Sequence, residues 1–159
     1  MSDLLDLRTV NATWHAGPCA EVRVGEHVTR YVRRGNGPCV ILLGADADTT
    51  PVWGPLVELL SGTHRLVVPQ RPPQCVDSTG WLRGFIEGTG LTSVAIIAGG
   101  TLAEAALELA STDDFAVRKL VVMTDATASL DEANSRVLRV LPSWDPDVAL
   151  RRVSEFLAS

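Results

Sequence analysis

The sequence contains a series of short apolar runs, most of them continuous. Strands that are buried on both faces of a parallel sheet have this near-continuous apolar pattern, whereas strands with one wet face alternate. Each run is five to seven residues long, which favours strands over helices. We therefore predict a core of parallel strands at Cys39–Leu43, His64–Pro69, Val94–Ala98, Arg118–Thr124 and Val137–Leu141.

Between these runs, apolar residues recur at helical spacing in Pro51–Leu60, Trp81–Glu87, Leu102–Ala110 and Asp147–Leu157. Ahead of the first run, Glu21–Val24 and His27–Arg33 alternate apolar and polar residues, which predicts an antiparallel hairpin. The order of these elements predicts an α/β fold, a three-layer αβα sandwich with a mostly parallel sheet and an N-terminal antiparallel hairpin. We expect residues 20–159 to form a single domain and residues 1–19 an N-terminal arm.

The stretch Leu91–Ala110 joins the most apolar strand to a helix through a very short turn. Gly99 and Gly100 allow the chain to turn sharply, because neither carries a Cβ atom. Thr101 and Glu104 have the spacing of a capping box, in which each side chain bonds the backbone amide of the other. A strand, a tight turn and a helix in this order have the shape of a nucleophile elbow.

This stretch resembles the elbow of the α/β-hydrolase superfamily, in which the strand ends in the motif G-x-S-x-G. In an alignment without gaps, Ala98, Gly100 and Leu102 take the places of the first glycine, the serine and the last glycine. A shift of one residue would instead place Thr101 at the position of the nucleophile. The other elements resemble the superfamily in order and spacing over residues 20–157, which implies a minimal α/β-hydrolase-like fold.

The resemblance also implies that the catalytic triad is missing. Glycine has no side chain that can attack a carbonyl carbon. Ser143 or Trp144 stands where the relatives carry their histidine, and no histidine follows His64. Only Asp125–Ser135 separates two strands between which the relatives carry a lid and the acid-bearing strand. The chain thus resembles a truncated member without lid, acid-bearing strand or triad, and we do not expect serine-type hydrolysis.

Composition narrows the classes of function. The 159 residues are 46% hydrophobic, and the net charge of −5 argues against nucleic acid or an anionic membrane as the main partner. The three cysteines, Cys19, Cys39 and Cys75, form no C-x-x-C pair, so we predict no metal site. We expect a cytoplasmic protein with reduced thiols, without a cofactor and without a membrane-spanning segment.

These features favour a pseudoenzyme that acts as a binding, scaffolding or accessory module. The ends of parallel strands still form a crevice, and a turn before a helix suits a small anionic ligand, or a small apolar one beside it. Without a lid, apolar surface would be uncovered, so we expect a homodimer or a partner protein over that face. The candidate ligand-binding residues are Gly44, Ala45, Gly99, Gly100, Thr101 and Trp144.

The alternative is a non-covalent acid–base enzyme, an isomerase, epimerase, cyclase or lyase of specialised metabolism. Its candidate catalytic residues are Asp46, Asp125 and Thr101, and Asp48 and Asp145 also follow predicted strands. Carboxylates at one rim of a crevice can move protons without a covalent intermediate. The more common role of each of these aspartates is a helix cap or a solvated loop charge.

Overall fold

The computed structural model describes residues 19–43, 53–70, 77–91, 93–99, 102–110, 117–123, 137–140 and 145–158. This part of the chain contains seven strands: β1 (Cys19–Val24), β2 (His27–Arg34), β3 (Cys39–Leu43), β4 (Arg65–Pro69), β5 (Val94–Gly99), β6 (Val117–Met123) and β7 (Val137–Val140). It also contains four helices: α1 (Trp53–Ser61), α2 (Ser78–Thr89), α3 (Leu102–Ala110) and α4 (Pro146–Ala158). Residues 1–18 of the predicted arm lie outside the described residues, and Cys19 already belongs to β1.

All seven strands form one sheet in the order β1-β2-β4-β3-β5-β6-β7. β2 pairs antiparallel with both β1 and β4, whereas β4, β3, β5, β6 and β7 run parallel to their neighbours. β5 lies within the parallel part, and every one of its residues is buried, as its continuous apolar pattern indicates. The α/β class, the mostly parallel sheet and the N-terminal antiparallel hairpin are therefore confirmed.

Alternate residues of the inner strands divide the core into two clusters. On β3, Val40 and Leu42 pack with residues of α1 and α4, whereas Ile41 and Leu43 pack with residues of α2 and α3. All four side chains are fully buried. Because successive side chains of a strand point to opposite faces, each face of the sheet is covered by its own pair of helices. The predicted three-layer sandwich results.

The N-terminal hairpin is attached to α2 through aromatic side chains. Nε1 of Trp81 donates a hydrogen bond of 2.8 Å to Oγ1 of Thr29, a residue of β2 that is fully buried. The rings of Tyr31 and Phe85 meet edge to face, with their centroids 5.2 Å apart, which is a favoured aromatic geometry. The antiparallel strands are thus joined to the same core as the parallel ones.

Two glycines of α2 allow β1 to approach the helix backbone closely. A Cβ atom on Gly84 would lie 2.6 Å from Cγ1 of Val24, and one on Gly88 would lie 2.8 Å from Cγ2 of Val22. Gly84 and Gly88 are four residues apart, so they lie on the same face of the helix. Their missing side chains form a notch that the two valines of β1 fill.

Helix α2 is longer than the segment Trp81–Glu87 that the apolar pattern predicts. It begins at Ser78 and ends at Thr89. Asp77 caps its first turn, and Oδ1 of Asp77 accepts a hydrogen bond of 3.0 Å from the amide of Gly80. The run Asp-Ser-Thr-Gly has the composition of a loop, which conceals this first turn in the sequence.

β7 pairs in parallel with β6 of the same chain, with Leu120 opposite Val137 and Met123 opposite Val140. Residues 124–136 connect the two strands and lie outside the described residues. A crossover between parallel strands needs about a dozen residues or more. This connection is therefore close to the minimum length.

Candidate functional site

The carboxyl-terminal ends of the parallel strands meet at one edge of the sheet. In the register of β5 and β6, Gly99 lies opposite Met123. Ligands of open α/β sheets bind at this edge, because the loops that follow the strands converge there. No ionisable residue ends any of these strands, whose last residues are Leu43, Pro69, Gly99, Met123 and Val140.

The predicted elbow lies at the centre of this edge. β5 ends at Gly99 and α3 begins at Leu102, so only Gly100 and Thr101 connect the strand to the helix. Gly99 is buried, and Leu102 and Ala103 at the start of the helix are buried as well. The elements on both sides of the turn are therefore those that the sequence predicts, and Gly100 directly follows the strand.

Of the predicted site residues, the structure describes Gly99 and Asp145. The roles predicted for the others stay predictions, because these residues lie outside the described part of the chain. They are Asp46, Asp48, Asp125 and Thr101 as acid–base or nucleophilic candidates, and Gly44, Ala45, Gly100 and Trp144 as further ligand-binding candidates.

Asp145, the remaining aspartate that follows a predicted strand, is a helix cap. Its Oδ1 accepts a hydrogen bond of 2.9 Å from the amide of Asp147, and its carbonyl oxygen accepts one of 2.9 Å from the amide of Ala149. The first of these bonds satisfies an amide of the first turn of α4 that has no partner within the helix, and the second is the first backbone bond of the helix. The position of Asp145 therefore has an ordinary structural explanation.

Neither of the described histidines is close to the elbow. His64 precedes β4 at the opposite edge of the sheet: Leu66 lies level with Val40 and Ala95, so about six residues of strand, roughly 20 Å, separate His64 from Gly99. His27 begins β2, three strand spacings or roughly 14 Å to the side of β5. A general base must lie within hydrogen-bond reach of the proton that it takes.

His64 has a local role in the turn between α1 and β4. Oγ1 of Thr63 lies 2.8 Å from Nδ1 of His64, within hydrogen-bond distance. Partial burial lowers the pKa of His64 below its ordinary value of 6.5, and the positive charge of Arg118 lowers it further. Its imidazole is therefore largely neutral at pH 7.

Ionisable side chains do gather at the amino-terminal edge, where the sequence pattern indicated no function. Cys39 begins β3, His64 and Arg65 lie at the start of β4, and Arg118 and Lys119 follow the first residue of β6. The only signal in the sequence was a basic residue at the start of an apolar run. A basic residue at the end of a strand is usually a solvated flank, so the pattern alone does not identify a site.

Among the described residues, no group of three or more His, Cys, Asp or Glu side chains is placed to hold a metal ion. None of the helices in this part of the chain has the length and apolar character needed to cross a lipid bilayer.

No protein-family model and no curated protein sequence matches the chain. Solved structures do match it. The epoxide hydrolase VrEH1 of Vigna radiata is 19% identical with a TM-score of 0.56, over 67% of this chain and 38% of that one. A protein of Acinetobacter baumannii, provisionally assigned as a lipase, is 20% identical with a TM-score of 0.59, over 81% and 49%. A bromoperoxidase of Bacillus anthracis is 16% identical with a TM-score of 0.56, over 67% and 44%.

These three proteins have α/β-hydrolase folds, and at such identities the likeness shows the shared fold and not a shared activity. The chain spans between about two fifths and half of the length of the structures that it matches. The fold implied by the elbow stretch is therefore confirmed.

Proposed function

We propose that this chain, whose fold is that of the α/β-hydrolases, is a non-hydrolytic binding protein that holds a small ligand at the carboxyl-terminal edge of its sheet. One observation supports the proposal most strongly. β5 and α3 keep the strand and helix of a nucleophile elbow, and the residue that directly follows the strand is Gly100. Glycine offers no hydroxyl or thiol to a carbonyl carbon, so covalent catalysis at this position is excluded.

The positions of the histidines support the same proposal. Ser–His chemistry requires an imidazole within about 3 Å of the nucleophile. His27 and His64 are both far outside that distance from Gly99, and no histidine follows His64 in the sequence. A hydroxyl at the elbow, including that of Thr101, would therefore lack a described base.

Apolar residues lie at the ends of β3 and β5 and at the start of α3, which favours an apolar or anionic ligand at this edge. The side chains of Leu43, Ala98 and Leu102 are apolar and nearly or fully buried. The N-terminus of α3 follows directly, and helix N-termini attract negative charge. We infer that the occupant is a small apolar or anionic molecule, with a second copy of the chain or a partner protein over the same face.

The hydrolytic alternative is tested with a fluorophosphonate probe and short-chain p-nitrophenyl esters. We expect neither covalent labelling nor ester hydrolysis above the uncatalysed rate, in the native protein and in the Thr101→Val variant alike. Stoichiometric labelling that disappears in Thr101→Val would identify threonine as a nucleophile and would refute the proposal.

The binding function is tested by native mass spectrometry of small molecules that co-purify with the protein. We expect Gly100→Leu to lose the ligand, because it adds a bulky side chain to the short connection between β5 and α3, and Gly62→Leu to retain it. Gly62 is a matched control, since a Cβ atom there meets nothing within 4 Å. Asp46→Asn with Asp125→Asn should leave a binding protein intact, whereas loss of a measured turnover in this pair would support the acid–base enzyme instead.

A further inference from the structure

Arg118 occupies an irregular position in β6. Val94 of β5 lies opposite Val117, and the next residue, Ala95, lies opposite Lys119, so Arg118 has no partner in β5. Such a β-bulge is rare between parallel strands and re-aims the side chain of the extra residue. Bulges also concentrate at sheet edges and next to functional sites.

The bulge changes which face of the sheet the neighbouring side chains reach. Val117 and Leu120 both pack in the cluster with α2 and α3, although they are three residues apart, and Val121 packs in the cluster with α1 and α4. A regular strand would place Val117 and Val121 on the same face. Arg118 is therefore the residue at which the alternation is broken.

The guanidinium of Arg118 is partly buried without a complete set of acceptors. Its Nη2 atom is buried, and no atom of the residues that the structure describes accepts a hydrogen bond from it. Arginine stays protonated in proteins, so the group cannot neutralise itself as a lysine can. A buried donor that is charged and unpaired is strongly unfavourable unless an acceptor of opposite charge completes it.

In the described part of the chain, no negative charge acts on the groups near Arg118. Burial is the largest influence on the pKa of each group: it raises that of Cys39 and lowers those of His64 and Lys119, and the positive charge of Arg118 acts to lower all three. Arg65, which lies opposite Cys39 in the register, also acts on that thiol. No carboxylate of the described residues contributes to any of these shifts, in a protein whose net charge is −5.

Lys119 is not a candidate for binding an anion, because its ammonium group already has a hydrogen-bond acceptor. Nζ of Lys119 donates a hydrogen bond of 2.5 Å to the carbonyl oxygen of Phe156 in the last turns of α4, and it lies 5.3 Å from the centre of the Phe156 ring. Lysine is favourable at a helix C-terminus, where carbonyl groups lack partners within the helix. Nη2 of Arg118, in contrast, is a donor that still lacks an acceptor among the described residues.

We propose that Arg118 binds an oxyanion, a phosphate or carboxylate group of a small molecule, at the amino-terminal edge of the sheet, where His64 and Arg65 also lie. The planar guanidinium presents paired N–H donors that match either anion. The site lies at the opposite ends of the strands from Gly99, so it is independent of the ligand proposed for the crevice.

The test measures the thermal midpoint Tm against inorganic phosphate and, separately, against acetate, with sodium chloride holding the ionic strength constant. We expect Tm to rise with at least one of the two anions. Beyond Kd, each tenfold increase in anion should add about 3–5 °C for a domain of this size. A response to phosphate alone indicates a phosphate-bearing ligand, and a response to acetate indicates a carboxylate.

The variant Arg118→Met removes the donor and retains most of the side-chain volume. We expect it to lose the anion response and, in chloride alone, to be at least as stable as the native protein, because it removes an unpaired buried charge. Arg23→Met is the matched control, since Arg23 is an exposed residue of β1, and this variant should keep the native response. Arg118→Lys should bind the anion at least tenfold more weakly, since it keeps the charge and loses the paired donors.

Two results would overturn the proposal. The first is an equal response of the native protein and Arg118→Met to phosphate and acetate. The second is a native protein that responds to neither anion more than to chloride. If Arg118→Met does not fold, the same judgement rests on Arg118→Lys against Arg23→Met: an unweakened response of Arg118→Lys refutes the site.

Discussion

Two buried nitrogen donors lie near opposite edges of the sheet, and they differ in what surrounds them. Nε1 of Trp81, near the carboxyl-terminal ends of the strands, donates to the buried hydroxyl of Thr29. Nη2 of Arg118, at the amino-terminal ends, has no acceptor among the described residues. The first is a completed pair that attaches a helix to the N-terminal hairpin. The second is a charged donor whose acceptor has to come from elsewhere.

The comparison distinguishes a donor that stabilises the fold from a donor that we propose binds a ligand. Open α/β sheets bind their ligands at the carboxyl-terminal edge. In this chain the last residues of the parallel strands carry no ionisable side chain, and Gly100 follows the central one. The ionisable residues at the starts of the parallel strands, Arg118 among them, lie at the other end.

The largest effect is expected from the substitution Gly35→Ala, which tests how firmly the amino-terminal edge is built. Gly35 has a φ of +85°, and a Cβ atom there would lie 2.3 Å from the carbonyl oxygen of His64 and 2.7 Å from that of Ser61. Left-handed strain and a backbone clash together should lower the free energy of unfolding by about 3 kcal/mol or more, measured by urea denaturation.

Gly25→Ala separates these two causes. Gly25 also has a left-handed φ, of +60°, but a Cβ atom there meets nothing within 4 Å. Its substitution should lower the free energy of unfolding by about 1–2 kcal/mol, from backbone strain alone. Equal losses in the two variants would mean that the turn at Gly35 does not pack against the turn before β4.

The next effect is expected from Thr29→Val, which breaks the completed pair. The variant keeps the shape of the side chain and removes the acceptor of Trp81, so a buried donor is left unpaired. We expect the free energy of unfolding to fall by about 1–3 kcal/mol.

Thr79→Val is the matched control for this variant. Oγ1 of Thr79 donates to Oε2 of Glu108 over 3.1 Å in an exposed position, where water can replace the bond. Its loss should change stability by no more than about 0.5 kcal/mol. If both threonine variants behave alike, burial does not distinguish the two hydrogen bonds and the comparison with Arg118 loses its basis.

The smallest effect is a shift in the pKa of His64. Partial burial and then the charge of Arg118 hold that pKa below 6.5, so the folded chain binds this proton less tightly than the unfolded chain. The contribution of His64 to stability therefore falls as the pH is lowered from above 6.5 through the folded-state pKa, and it recovers as the pH rises.

NMR titration of the imidazole measures this pKa directly. In Arg118→Met we expect it to rise towards 6.5 but to stay below that value, because burial is the larger cause. Arg23→Met should leave it unchanged. An unchanged pKa in Arg118→Met would show that the guanidinium does not lie near His64.

The sequence predicts much of this fold because its inner strands carry an unambiguous pattern. The run Cys39–Leu43 is a strand with the predicted limits, and the run predicted at Val94–Ala98 extends by one residue to Gly99. Helix α3 has the predicted bounds, Leu102–Ala110. These elements are buried on every side that the pattern indicates, so local periodicity and tertiary packing agree.

Other features could not be predicted, because they depend on pairs of elements. The bulge at Arg118 is a property of the register between β5 and β6, and neither strand contains a residue that signals it. The first turn of α2 depends on the cap by Asp77, in a segment with loop composition. For the candidate site, the sequence identifies the elbow from the strand and the helix that flank it. The ionisable residues at the opposite edge belong to different strands, so only the assembled sheet shows that they share one edge.

The glycine notch on α2 has a consequence for the outer rim of the sheet. Among the described strands, β1 pairs with one neighbour only, and the open side of such an edge strand can recruit further strands from other molecules. With larger residues in place of Gly84 and Gly88, Val24 and Val22 of this strand could not lie so close to the helix axis. Because the two glycines carry no side chain, β1 packs closely against α2. This packing restrains β1 from separating from the domain and makes aggregation through this edge strand less favourable.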